Sequence, residues 1–473
     1  MRKKNRRQTF EKIEVLDAGA KGKAVAKAPD GRVIFLSDAV PGDVVDVLTT
    51  KKRKAYFEGQ VTRFHSYSDK RAEPVCSHFG ICGGCKWQHM TYENQLFYKQ
   101  KEVENNLRRI GHLELPEISP ILGSQKQYFY RNKMEFSFSD SRWLTQEEID
   151  SQEPIKDKNA LGFHIPGMWD KILDIETCHL QEDPSNAVRN TIKTKALDLG
   201  IPFYNPRQRT GMLRTLMMRI TSLGEIMVLI QFFQDITMKE KQLLNEIKET
   251  FPEITSLLFT VNKKANDTIY DQKVICFSGQ DHIVENMEGL RFKINAKSFY
   301  QTNSHQAYEL YKVTRDFAGL TGKEIVYDLY TGTGTIAQFV AKNAKKVIGV
   351  ESVPEAIEDA RSNAQNNGIS NAEFFVGDMK DVFNTDFVGE HGVPDVVITD
   401  PPRDGMHKQV VEQLLQASPP RIVYVSCNTA TQARDLDLLQ SHYEIKKVQP
   451  VDMFPQTHHV ENVVLLEKRK KQV

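Results

Sequence analysis

From residue 9 to residue 65 the chain alternates apolar and polar side chains in short runs such as GRVIFL, GDVVDVLTT and YFEGQVTRF, with DAGAKG, APDG and AVPG between them. Period-two alternation broken by glycine and proline predicts short half-buried strands joined by turns, and hence a small all-β barrel. A different pattern follows. YENQLFYKQKEVENNLRRI, residues 92 to 110, spaces its apolar positions as a helix does and stops at Gly111. YRNKMEFSFS and LRTLMMRI then read as strands of a middle α+β region that runs to about residue 290, with a polar insertion near residues 141 to 160. From residue 321 onward five runs rich in valine and isoleucine, EIVYDLY, KKVIGVE, AEFFVGD, PDVVITD and RIVYVSC, are separated by helical stretches such as VPEAIEDARSNAQNNG. Strand and helix in alternation predict a doubly wound, mostly parallel sheet. The expected fold class is α/β, with a barrel over 1–66, a central α+β domain over 67–290 and a doubly wound C-terminal domain over 291–473.

Charge and cysteine usage sharpen this picture. The 473 residues carry 63 Lys plus Arg against 62 Asp plus Glu, but residues 1 to 66 hold 15 basic and 8 acidic side chains, so the barrel end is cationic. KKRK at 51–54 with Tyr56 and Phe57 just after it combines charge for a phosphate backbone with rings for bases; RNA binding and a solvated hairpin tip are the two readings of it. Arg131, Lys133, Arg214 and Arg219 on the central strands are expected to be surface charges. No apolar run of about 18 residues occurs, and MRKKNRR is followed by QTFEKIEV where a signal peptide needs an apolar core. A cytoplasmic protein without a membrane span is expected. The closing KRKKQV reads as a frayed tail. Only six cysteines are present, yet PVCSHFGICGGCKWQHM gathers Cys76, Cys82 and Cys85. In a reducing compartment such clustering points to metal ligands or catalysts rather than disulfides. Spacing leaves two occupants open: zinc on Cys76, Cys82, Cys85 and His89, or a [4Fe-4S] cluster with Cys178 of DIETCHL as the fourth thiolate. Cys276 in KVICFS is expected to be a buried structural thiol.

Two constellations carry chemistry. YDLYTGTGTIAQFVA is a strand, a turn with Gly332 and Gly334, and a helix, at the strand end where open α/β sheets bind ligands. Ala337 stands where a dinucleotide site has its third glycine, so S-adenosylmethionine, which lacks a pyrophosphate, fits better. Glu351, at the end of the second strand, is placed to hold the ribose hydroxyls, and Asp378, after the third, to meet the adenine amino group. The fourth strand ends in Asp400 of ITDPPRDG and the fifth in Cys427 of VYVSCNTATQARDL. A helix starting near Thr429 is expected to favour the Cys427 thiolate. A methyltransferase needs a thiolate when the acceptor is C5 of a pyrimidine: addition at C6 makes C5 nucleophilic, and a base must then remove the C5 proton. Glu461 in QTHHVENVVLLEK is the candidate base. Methylation of an exocyclic amine also uses Asp-Pro-Pro loops, but there an aromatic usually follows the prolines. Arg403 stands at that position here, and the amine reaction leaves Cys427 unexplained.

CSHFGICGGC, SFYQTN, DLYTGTGT, DPPRDG, YVSCNTATQARDL and HHVENVVLL together resemble the uracil-5 RNA methyltransferases, in particular the bacterial 23S ribosomal RNA enzymes with an N-terminal TRAM barrel and a [4Fe-4S] cluster. The resemblance covers nearly the whole chain. It implies an OB-like TRAM barrel, a central iron-sulfur domain and a Rossmann-like methyltransferase domain, with Cys427 as nucleophile and Glu461 as proton acceptor. It further implies Gln301, Tyr330, Glu351, Asp378 and Asp400 around S-adenosylmethionine, and it favours the cluster on Cys76, Cys82, Cys85 and Cys178. The cluster is expected to tie a loop of the central domain to the Cys178 strand. Thr331 and Thr333 stand where relatives often have Cys-Gly, and Thr429 where proline is usual. The implied partner is RNA, 23S ribosomal RNA first and transfer RNA as the alternative, bound by a monomer. A non-catalytic RNA-binding or ribosome assembly factor is the reading from a different class, and intact Cys427, Glu461 and Glu351 count against it.

Overall fold

The computed structural model describes residues 7–470 other than 152 and 156; the opening MRKKNR and the last three residues of the basic tail lie outside the described residues. Strands Thr9–Ala18, Ala24–Lys27, Val33–Leu36, Val44–Lys52 and Tyr56–Ser66 close into a barrel in the order first, second, third, fifth, fourth. Alternation turns Val15, Ala26, Ile34, Leu36, Val45, Val47 and Phe57 into its interior, and closure leaves no unpaired edge. Phe57 is therefore a core residue, fully buried with Arg32 packed 4.0 Å from its ring centroid, and not an exposed platform for bases. The exposed ring at this end is Tyr67, stacked on Phe64 at 4.9 Å with Arg71 over both rings.

The central sheet has seven strands in the order Val274–Gly279, Ile254–Val261, Ile226–Phe232, Leu213–Ile220, Lys133–Ser139, Ala160–His164, Ile172–Asp174. Its one parallel pairing joins Ile226–Phe232 to Ile254–Val261 through the helix Met238–Thr250. Two expectations fail here. Arg214 and Arg219 are buried, because their guanidinium groups reach backbone carbonyls: Arg214 donates to Asn262, Lys264 and Ala265, and Arg219 to Ser298 at 2.7 Å. Cys276 is exposed, because Val274–Gly279 is an edge strand.

The helix Tyr92–Arg109 packs on the C-terminal sheet, where Val103 and Leu107 share a core with Tyr327, Ile348 and Leu436. Gly111 ends it because a Cβ there would lie 2.9 Å from the carbonyl oxygens of Leu107 and Ala433. The C-terminal sheet runs Ala372–Val376, Lys346–Glu351, Ile325–Leu329, Val396–Thr399, Arg421–Ser426, Glu461–Lys468, Tyr443–Val451. The first five strands are parallel and correspond to the five valine-rich runs. Glu461–Lys468 is antiparallel to them, and Tyr443–Val451, antiparallel to Glu461–Lys468, completes a hairpin at the edge. Chain order reverses at Ile325–Leu329, which is the crevice where such sheets take ligands.

Candidate active site

Cys427 directly follows the strand Arg421–Ser426, and Glu461 opens the strand Glu461–Lys468. These strands pair antiparallel with Ser426 opposite Asn462, so one more step of the same register sets Cys427 opposite Glu461. Asp400 lies one residue beyond Thr399, which pairs with Tyr424 of the same strand as Cys427. Three acidic groups thus share one enclosed end of the sheet. Burial, and then the charge of Asp400, push the Glu461 carboxyl up to about 8, with Arg403 opposing. Burial and Asp328 push Asp400 up to about 7. The Cys427 thiol is pushed up to about 11 by burial, then by Glu461 and Asp400, again against Arg403. This corrects the expected thiolate. The helix does begin at Thr429, but Asn428 caps it by accepting the Ala430 amide at 3.1 Å, and desolvation outweighs what the helix end offers. The acids hold their protons until a cation enters beside them.

The glycine turn is built around Asp328, which is 1% exposed and accepts the Thr331 hydroxyl at 2.5 Å and the Ala337 amide at 3.0 Å. Gly332 and Gly334 have φ of 56° and 74°, the left-handed region that glycine enters without penalty. Tyr330 also has positive φ, at 64°, and stands half-buried at the mouth of the turn. Glu351 accepts the Gly332 amide at 3.2 Å with one oxygen and the Ser352 and Val353 amides at 2.7 and 3.0 Å with the other. Its carboxylate is therefore fixed facing the turn. Gln301, in the loop before the helix Ser304–Ala318, is held through its carbonyl by Asn132 at 2.8 Å. Asp378 is exposed, caps the short helix Met379–Val382 and pairs with Lys380 at 2.8 Å, so its carboxylate already has a cationic partner.

Cys76, Cys82, Cys85 and Cys178 line one cavity of about 410 Å³ beside Arg131, Lys133 and Thr302. Cys178 comes from the central domain, and the other three come from the loop that precedes the helix Tyr92–Arg109. His89 faces elsewhere: its Nε2 lies 3.4 Å from the Ala39 carbonyl oxygen and its ring packs on Phe79. Among the described residues no group of three or more His, Cys, Asp or Glu side chains is arranged to hold a metal ion, and the zinc reading through His89 has no support. Four thiols lining one cavity are, by their chemistry, the donor set a [4Fe-4S] cluster would take.

The sequence model of the tRNA (uracil-5-)-methyltransferase family matches residues 217–469, a span that contains Cys427, Glu461 and the whole glycine turn. The chain belongs to the RNA uracil-5-methyltransferases. An uncharacterized RNA methyltransferase of Bacteroides thetaiotaomicron is 59% identical over 453 residues, covering 95% of this chain and 100% of its own length. One from Porphyromonas gingivalis is 53% identical over 96% of this chain and 99% of its own. Among solved structures, Pyrococcus abyssi tRNA (uracil-54, C5)-methyltransferase in complex with S-adenosyl-L-homocysteine aligns with a TM-score of 0.74 and 28% identity, over 96% of this chain and 99% of that one.

In this uracil-5-methyltransferase three features of the site were not read from the sequence. Arg403, noted there only for not being aromatic, is the cation that favours the ionised forms of Cys427 and Glu461. Tyr311 is fully enclosed, with Gln301, Asp400, Asp328 and Glu461 around its hydroxyl, and burial raises its pKa well above the usual tyrosine value. On a helix of alternating apolar positions it looks like any core ring. His458 and His459 stack at 4.1 Å in the loop before Glu461, and burial with neighbouring cations, Arg403 among them, holds them down to about 3 and about 4. Two neutral imidazoles just before Glu461 become visible only once the loop is folded.

Proposed function

We propose that the protein methylates C5 of one uridine in structured RNA through a covalent bond between Cys427 and C6, and that the RNA is 23S ribosomal RNA. The observation that carries the mechanism is the register that sets Cys427 opposite Glu461 at the closed end of the sheet. S-adenosylmethionine, when bound, supplies the methyl as a sulfonium electrophile whose positive charge suits a site lined by Asp328, Asp400 and Glu461. Glu351 holds its ribose hydroxyls, and Gln301, Tyr330, Asp378 and Asp400 surround the rest. Once the sulfonium cation lies beside it, with Arg403 adding to the effect, the Cys427 thiol gives up its proton to solvent; the thiolate forms the S–C6 bond and the C5–C6 π pair moves onto C5. C5 attacks the methyl carbon, whose bond to sulfur breaks with its electron pair left on the sulfur, so that S-adenosylhomocysteine departs as a neutral thioether. Glu461 as carboxylate takes the C5 proton, the electron pair re-forms the C5–C6 double bond, and the S–C6 bond breaks to return the thiolate. The uridine must be splayed out of its stack for C6 to be reached.

Cys76, Cys82, Cys85 and Cys178 would hold a [4Fe-4S] cluster, whose role here is to join the cysteine loop to the irregular segment after the strand Ile172–Asp174, where Cys178 lies, and not to a strand as expected. Protein purified without oxygen should carry about four irons per chain, and Cys178→Ser should lose them as fully as Cys82→Ser. The barrel, as a TRAM-type module, would bind RNA in the cytoplasm. Transfer RNA is the second reading, favoured by the full-length likeness to the Pyrococcus abyssi enzyme; mapping 5-methyluridine in both RNAs of a deletion strain decides between them. For the chemistry, S-adenosylmethionine with a labelled methyl and target RNA should give free labelled RNA with wild type, nothing with Cys427→Ala, and a labelled protein–RNA band on a denaturing gel with Glu461→Gln. Wild-type turnover by Cys427→Ala would end the proposal.

A further inference from the structure

The segment that leads into Glu461 has no regular secondary structure between Asp452 and Val460, yet four other parts of the chain grip it. The carbonyl of Met453 accepts from Asn303 Nδ2 at 2.9 Å, that of Phe454 from Lys99 Nζ at 3.1 Å and that of Pro455 from the Tyr130 hydroxyl at 2.9 Å. The carbonyl of Gln456 accepts from the Lys86 and Trp87 amides at 2.8 and 3.1 Å. Lys86 is the residue after Cys85, so the cysteine loop is itself one of the grips. Gln456 is 2% exposed and has a φ of 66°, a left-handed conformation that a side chain adopts only where its surroundings impose it.

What imposes it is Gln95. This side chain is fully buried in the helix Tyr92–Arg109; its Oε1 accepts the Gln456 amide at 3.0 Å and its Nε2 lies 3.0 Å from Gln456 Oε1. The same Nε2 is 3.0 Å from the Trp87 carbonyl oxygen and 2.9 Å from that of Met90. One amide therefore binds the end of the cysteine loop and the loop before the base. On the same helix face, at spacings of three and four residues, Tyr92 and Lys99 close on Asp452 at 2.8 and 2.6 Å. All of these groups are spent on backbone or on each other, and none faces the acids at the strand ends.

Taking Glu461 as the base, we infer that Gln95, acting on Gln456, is a positioning residue for it: the pair locks the cysteine loop and the base-bearing loop into one unit, so that removal of the C5 proton depends on a helix that does not touch the uridine. The effect belongs to the last half of the reaction, because Cys427 and Asp400 sit on strands that this clamp does not hold.

The test compares wild type with Gln95→Leu, which keeps the volume and deletes all four polar contacts, and with Gln95→Glu, which keeps an acceptor for the Gln456 amide. Methyl transfer in a single turnover, decay of the covalent protein–RNA band on ordinary uridine RNA, and amide exchange over residues 452–461 are measured for each. Gln95→Leu is expected to transfer the methyl at close to the wild-type rate, to release the RNA roughly tenfold to a hundredfold more slowly, the scale on which a catalytic group displaced by about an ångström fails, and to exchange its loop amides faster. Gln95→Glu should recover most of the release rate. Unchanged release and exchange in Gln95→Leu would overturn the inference, as would equal losses in transfer and release, which mark general damage. If wild type forms no adduct even with 5-fluorouridine RNA, the Cys427 mechanism fails instead, and the amide exchange alone decides whether the clamp exists.

Discussion

Glu461 shows how far a folded environment can move one residue. A carboxyl with an ordinary value of 4.5 is raised to about 8 because burial strips its hydration and Asp400 adds a like charge. It accepts a proton only when ionised, so breakdown of the methylated adduct should speed up with pH to a plateau, with a midpoint near 8, in rapid-quench experiments. The same shift acts on stability. Below 4.5 both folded and unfolded states keep the proton; between 4.5 and 8 only the unfolded state loses it, so stability falls as pH rises and the full loss is reached above 8. A shift of this size corresponds to about 3 to 5 kcal/mol. Glu461→Gln should therefore resist urea better than wild type at pH 9, and the advantage should fade toward pH 5. The candidate base was legible because an acidic residue heads an apolar strand; its protonation was not, since that follows first from burial and then from Asp400, 61 positions away in the chain.

At the scale of the element, the glycine turn separates two roles that look alike in the sequence. Gly334 has a φ of 74°, and a Cβ there would stand 2.8 Å from Phe374 Cε1 and 2.9 Å from Ala360 Cβ, both buried. Gly332 has a φ of 56° and nothing within 4 Å of such a Cβ. Gly334→Ala should destabilise the domain by about 2 to 4 kcal/mol, combining backbone strain with overpacking. Gly332→Ala should cost only about 1 kcal/mol of strain but weaken S-adenosylmethionine binding, because its methyl enters the ligand's space. Urea midpoints and calorimetry with the cofactor distinguish the two. Which glycine serves packing and which serves the ligand depends on Phe374 and Ala360, supplied by other elements.

For the whole molecule, the question is how the barrel meets RNA. Lys51, Lys52, Arg53 and Lys54 are all exposed at the tip of a strand pair, although Lys51 also approaches Glu58 at 3.5 Å. Replacing the four by glutamine should weaken RNA binding without changing S-adenosylmethionine affinity. It should also flatten the dependence of log affinity on log salt by about 0.7 to 0.9 for each phosphate that is no longer neutralised. Filter binding at several salt concentrations measures both, and an unchanged slope would leave Tyr67 and Arg71, on another part of the barrel, as the RNA surface.

Local pattern alone determined the barrel, the five parallel strands and the helix ending at Gly111, because alternation, periodicity and turn residues act over a few positions. It also singled out Cys427 and Glu461, since a reactive residue at a strand end is a local feature. The tertiary structure decided what depends on distant partners. It buried Arg214 and Arg219 against carbonyls, exposed Cys276 on an edge strand, put Phe57 inside the barrel, turned His89 away from the cysteines of its loop toward Ala39 and brought Cys178 in to them. Above all, it laid the strand Glu461–Lys468 of the closing hairpin antiparallel on a parallel sheet. Only that pairing register brings Cys427 and Glu461 face to face, and register is a property of two strands, which neither strand carries by itself.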